Sequence, residues 1–399
     1  MNRRSFFRHS AGALGGAVLA RGRAQAESAG PAELVDKTLC EKLSVYLDDL
    51  CAWIMTLNVG SHALENTKDT RTSIFINGNF ARVLLASHLI HGDKTRLDEA
   101  LRWCDTFCTI QQNTLTSKGE DAGFWPDCGP EGNIYFGDAG TAAHALAVIA
   151  RYADQERRAV YIAAMERMAR FIMDGCAEDP QGRGRGAAES WVIREGQDAG
   201  ALGCGYYKGR LSLEPYTIAT ATSGGAFMSE LYTLTRKQIY RDLAVNAVKW
   251  LLASRREDGE IPYTLAGNTL TSWPLDTLSY CTEAFVATDS CLGDEALSQR
   301  LGAELEPTVQ WLIGGQNDDG SWGKLRSADQ QRSPRAVSLL TWYFREVNAM
   351  PEAAEAVRKY CAFLLEPANS KAYGVKELVR TSGFVGLTLA DIIRPGCTF

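Results

Sequence analysis

The stretch Trp311–Gly323, "WLIGGQNDDGSWG", ends one kind of segment and begins another. Its first residues close an amphipathic run of helical period. Asp319-Gly320 is a turn signal, and Trp322 is a large aromatic just beyond it. Degenerate relatives stand at Trp250–Tyr263, "WLLASRREDGEIPY", and at Phe363–Gly374, "FLLEPANSKAYG". Before each copy lies a segment with one charged face, such as "YRDLAVNAVKWLLASR". After it comes a segment apolar nearly all round and rich in small residues, such as "SPRAVSLLTWYF". Helices polar on one side lie outside a fold, and helices apolar all round are buried.

The two kinds alternate strictly along the chain, six of each, and long alternating strand runs are absent. Six outer–inner hairpins in sequence predict an all-α fold, an (α/α)6 toroid, with an open helical solenoid as the alternative. The inner helices are expected to start near Asn77, Asp138, Thr220, Pro274, Pro334 and Thr381. In such a ring the inner helices run parallel, so every outer-to-inner loop reaches the same end. Those loops are long and carry Gly–aromatic elements, whereas return loops such as "IHGDKT" are short. Function is therefore expected at the end where the inner helices begin.

Two domain-level segments are read. Residues 1–26, "MNRRSFFRHSAGALGGAVLARGRAQA", place Arg3 and Arg4 before two phenylalanines, a weakly apolar run and a small-x-small site. This resembles a twin-arginine signal peptide, which implies the export machinery of that route as a partner and a periplasmic or secreted location. Residues 27–399 form the toroid. They carry 37 Lys+Arg against 48 Asp+Glu, a net charge of −11, the wrong sign for a nucleic-acid binder. No apolar run reaches the ~20 residues a membrane span needs, so a soluble mature chain is expected. All eleven cysteines lie in this part, with no CxxC and no Cys-His pair, and read as buried thiols. No metal site and no cofactor is expected.

Trp311-Leu312, Gln316 and Gly320-x-Trp322 resemble the glutamine–tryptophan motif of squalene-type terpenoid cyclases over about a dozen residues. The DxDD acid and the DDxxD motif of cyclase chemistry are missing. The whole toroid pattern resembles the six-hairpin glycosidases, polysaccharide lyases and sugar epimerases. That resemblance implies a carbohydrate-active enzyme without deciding its reaction.

Within the convergent loops, candidate catalytic carboxylates are Asp138 and Asp276 at inner-helix starts, with Asp127 and Glu214 beside them. Glycoside hydrolysis needs two such groups ~5–9.5 Å apart, although Asp at a helix start also serves as a cap. Trp125, Tyr135, Tyr207, Tyr216, Trp273 and Trp322 are candidate sugar-stacking residues, Trp322 also reading as a pin for its turn. Asn77 and Asn79 could bind hydroxyls. Arg82, Arg332, Arg335 and Arg380, with six inner-helix N-termini, point to an acidic, uronate-type saccharide. Hydrolysis would use Asp138 with a second carboxylate, and elimination or epimerisation a Tyr, His or Arg pair. A terpenoid-cyclase-like cavity and a non-catalytic envelope protein are the alternatives.

Overall fold

Six amphipathic helices and six buried ones alternate in a computed structural model that describes residues 33–57, 74–127, 132–180, 190–207, 210–265, 267–270, 273–323, 334–369 and 379–399. The side chains of Tyr207, Arg210, Val379 and Arg380 lie outside this description. The outer helices are α1 (Lys37–Ile54), α3 (Lys94–Ile110), α5 (Gln155–Asp174), α7 (Gln238–Ala253), α9 (Glu295–Gly314) and α11 (Pro351–Leu365). The inner ones are α2 (Ile74–His91), α4 (Phe136–Ile149), α6 (217–235), α8 (Pro274–Leu292), α10 (334–347) and α12 (Val379–Ile393). Helix α6 starts as one α-turn, runs as a π-helix over Thr220–Phe227 and ends α-helical over Met228–Thr235.

Local chemistry explains both kinds. In α1, Leu43, Leu47, Leu50 and Ile54 recur every three or four residues and are buried, while the opposite face is solvated. Four outer helices open on an aspartate, Asp36, Asp93, Asp154 or Asp294, whose carboxylate accepts a backbone N–H two or three residues on. The inner helices bury nearly their whole circumference. Small residues let them touch: a side chain at Gly140 would run into Ser223 of α6, and one at Gly225 into Ala284 of α8. Return turns are as short as Gly92-Asp93, and Arg236 and Gly293 make the left-handed stop.

The inner helices pack in order, each on the next, and α12 packs back on α2. Outside, α11 meets α1. The ring is closed, which excludes the open solenoid and agrees with the expected (α/α)6 toroid. Seven short strands, all in outer-to-inner connections, add what the periodicity did not show. These are β1 (Gln112–Leu115) with β2 (Asp121–Phe124), then β3 (Ile134–Tyr135), β4 (Gly203–Tyr207) and β5 (Arg210–Pro215) in one antiparallel sheet. β6 (Tyr263–Leu265) and β7 (Asn268–Leu270) form a third, two-stranded sheet. They rim the mouth at the inner-helix N-terminal end. No described helix is long and apolar enough to cross a membrane.

Candidate functional site

The inner helices are not started the way the outer ones are. Helices α4, α6 and α8 have Tyr135, Tyr216 and Trp273 as N-cap residues, and none makes a side-chain cap bond. The carboxylates come three residues later, Asp138 in α4 and Asp276 in α8, 7% and 5% exposed. Neither aspartate is therefore the N-cap of its helix. Each sits in the first turn, where helix polarity favours negative charge.

Between them lies a group of phenols. The Tyr135 and Tyr216 hydroxyls are hydrogen-bonded to each other. The ring of Tyr216 meets that of Tyr263 at 5.9 Å, and Tyr263 meets Trp273 at 5.8 Å. Burial pushes all three phenols up, and Asp138 and Asp276 add their charge at Tyr135 and Tyr263 respectively. At neutral pH these tyrosines are protonated and can donate hydrogen bonds. Asn77 and Asn79 lie deeper on α2, 4% and 1% exposed, with Asn79 against Gly383 of α12.

Below this mouth the ring axis is filled by ions. Arg82 pairs with Glu283 at 2.6 Å and donates two hydrogen bonds, 2.9 and 3.3 Å, to the Thr398 carbonyl. Arg335 pairs with Glu283 and Asp391 and donates to the Thr398 hydroxyl at 3.0 Å. The Phe399 ring packs under both guanidinium groups, 5.7 and 4.9 Å from its centroid. His144 Nδ1 is 3.2 Å from Glu283, while Nε2 faces Glu230, itself paired with Arg151. Burial, then the Arg82 charge, pushes His144 down to about 4, so the imidazole is neutral at pH 7. Burial alone would raise Glu283, but Arg335 and Arg82 hold it well below the usual carboxylate range.

This arrangement corrects several expectations. Arg82 and Arg335 are 1% and 0% exposed and already matched by carboxylates, so neither is open to an anionic ligand. Trp125 is fully buried with its indole N–H on the Phe107 carbonyl, leaving no face for a sugar. Trp322 is buried as well, and its N–H holds the Leu312 carbonyl at 2.6 Å, the pinning role. Tyr216 is 0% exposed and joins the site through its contacts with Tyr135 and Tyr263, offering no open face for a sugar. Glu214 is exposed on β5, accepting from Ser212 at 3.2 Å, and Asp127 is half-buried in the turn beyond β2. Arg332, residues 1–26 and the side chains of Tyr207 and Arg380 lie outside the described part.

Gln316 also has a structural task. It donates to the Gly320 carbonyl at 3.0 Å and to the Ala356 carbonyl of α11 at 2.8 Å, fastening the turn after α9 to the next outer helix. The Gln316–Trp322 stretch is a clamp between neighbouring hairpins.

Sequence reading missed Tyr263, which occupies a Pro-Tyr pair in a loop already notable for aromatics. It also missed Glu230, Glu283 and Asp391, whose signal was a carboxylate inside an otherwise apolar inner helix.

No family model and no curated protein matches the chain. Solved structures do. A sugar epimerase from a ruminal bacterium has 12% identity and a TM-score of 0.62, covering 90% of this chain and 98% of that one. A family 76 glycoside hydrolase from a bovine Bacteroides thetaiotaomicron strain has 12% identity and a TM-score of 0.59, covering 90% and 79%. An inactive variant of the α-1,6-mannanase of Salegentibacter sp., in complex with α-1,6-mannotriose, has 12% identity and a TM-score of 0.54, covering 89% and 98%. At such identities the likeness is one of fold: this chain has the (α/α)6 toroid found in sugar epimerases and glycoside hydrolases.

Proposed function

We propose that the chain is a carbohydrate-active enzyme that cleaves a glycosidic bond at the mouth of the ring, with Asp138 and Asp276 as its two carboxyl groups. One protonates the leaving oxygen, and the other activates water or attacks the anomeric carbon. The protonated tyrosines would hold substrate hydroxyls between them. The observation carrying this reading is the pair of first-turn aspartates on α4 and α8, flanking the phenols of Tyr135, Tyr216 and Tyr263.

The mannanase variant is inactive with two adjacent aspartates replaced. Here, adjacent aspartates occur only at Asp48-Asp49 on outer α1 and Asp318-Asp319 in a turn, while Asp138 follows Gly137 and Asp276 follows Leu275. The carboxylates in this proposal are thus paired across the ring, not along one helix. The charged floor of Arg82 and Glu283 speaks against a terpenoid-cyclase-like cavity, and the mouth carboxylates against a purely structural ring. Support for an acidic substrate now falls on Arg332 and Arg380, so a uronate polymer is one arm of the test.

Purified residues 27–399 should release reducing ends from one of α-mannan, β-glucan or polygalacturonate. Asp138→Asn and Asp276→Asn should each cost ~10²–10⁴-fold in rate, and full activity in both variants would refute the assignment. Sugar epimerisation is the second reading, favoured by the neutral phenols beside carboxylates. It would appear as deuterium incorporation from heavy water without cleavage. We also propose twin-arginine export, supported by Arg3-Arg4 and by ten described cysteines that are all free thiols, as suits a chain folded before it leaves the cytoplasm. Replacing both arginines by lysine should retain the precursor inside the cell.

A further inference from the structure

All nine tryptophans of the chain are described, and eight are buried or half-buried. Trp273 is 40% exposed. It also stands in the left-handed region, φ 61° and ψ 46°, one of two non-glycine residues with positive φ among those described. A bulky residue there is an outlier, and such backbone persists where the surrounding structure imposes it, often at ligand sites. From its ring an unbroken series of aromatic contacts runs inward, to Tyr263 at 5.8 Å, on to Tyr216 at 5.9 Å and to Tyr135 at 5.2 Å. Asp276 follows Trp273 by three residues, and Asp138 follows Tyr135 by three. The wall is thus apolar at its outer end and hydroxyl-bearing beside the carboxylates.

We infer that Trp273 is the outer stacking subsite of the cleft, taking the C–H face of a pyranose unit while the neighbouring unit lies at Asp138 and Asp276. A pyranose clusters C–H bonds on its ring faces, and a tryptophan is the broadest surface to receive them. The wall extends beyond the carboxylates, so the substrate is an oligosaccharide and not a monosaccharide glycoside. This rests on the glycan-cleaving reading above and adds to it the outer subsite and the length of the substrate.

The test is calorimetric titration of the Asp138→Asn protein with cellotetraose, α-1,6-mannotetraose and tetragalacturonate. At least one of the three probes should bind, with its methyl monosaccharide at least tenfold weaker. Adding Trp273→Ala should weaken the tetrasaccharide at least tenfold, and Trp273→Phe should restore part of it. Trp273→Gly gives a readout that a merely structural residue would not. Glycine is at ease at positive φ, so the melting temperature should hold or rise while binding is lost. A large fall in melting temperature with Trp273→Gly, or unchanged affinity in Trp273→Ala, overturns the subsite and leaves the cleaving reading standing. If no probe binds, the subsite falls, and the glycan reading is judged by the turnover assay alone.

Discussion

The mouth and the axis of the ring are built from the same six inner helices and use polar groups in opposite ways. On the axis every formal charge meets an opposite one, with Arg82, Arg335 and Arg151 set against Glu283, Asp391 and Glu230, around a neutral imidazole. At the mouth two carboxylates and three phenols gather around the helix starts, and Trp273 holds an uncommon backbone shape. Matched charges in a dry interior hold a structure in register, whereas donors and acceptors that line a cleft can meet a ligand. Two of the arginines that the sequence placed at the mouth, Arg82 and Arg335, belong to the axis.

That contrast can be broken by substitution. Arg335→Met removes one partner from two buried carboxylates and should cost about 3–5 kcal/mol of stability, measured by denaturant unfolding. Asp138→Asn at the mouth should leave the unfolding midpoint nearly unchanged while removing activity. Equal destabilisation by both would erase the distinction.

Acid offers a second probe. His144 is depressed to about 4 from an ordinary 6.5, so the folded state takes up its proton less readily than the unfolded chain. Its contribution, about 3 kcal/mol at most, is complete above pH 6.5 and is lost as pH falls toward 4. Glu283, also held low, loses its share below about 4.5, in the same direction. Unfolding free energy followed from pH 7 to 4 should decline, and His144→Gln should flatten the upper part of that decline. The smallest effects belong to the periphery. Gln316→Ala frees the clamp on Ala356 and should cost ~1 kcal/mol, and Asp154→Ala about the same through its lost cap. Neither should alter activity.

The architecture was legible because helix polarity is a local pattern: a charged face or its absence can be read within about eighteen residues of sequence. The axis was not, since Arg82 finds Thr398 only across 316 positions of chain and only once the ring is closed. Trp322 and Trp273 show the same limit on a smaller scale. Both follow turn residues in outer-to-inner loops, yet one is sealed against Leu312 and the other faces solvent. The aspartates could be placed at helix starts from sequence. That they occupy the first turn, with aromatic residues at the cap position, required the backbone.

The bond from Arg82 to Thr398 also sets an order of events during synthesis. A nascent chain ending anywhere before α12 has made Arg82 without the carbonyl that it needs, and Arg335 without Asp391. Partial rings therefore carry guanidinium groups that cannot be buried, so the hairpins cannot settle one by one as they emerge. The native axis should therefore form late, because it depends on contacts between distant parts of the chain. Until then the molecule should be open to proteases and chaperones along most of its length.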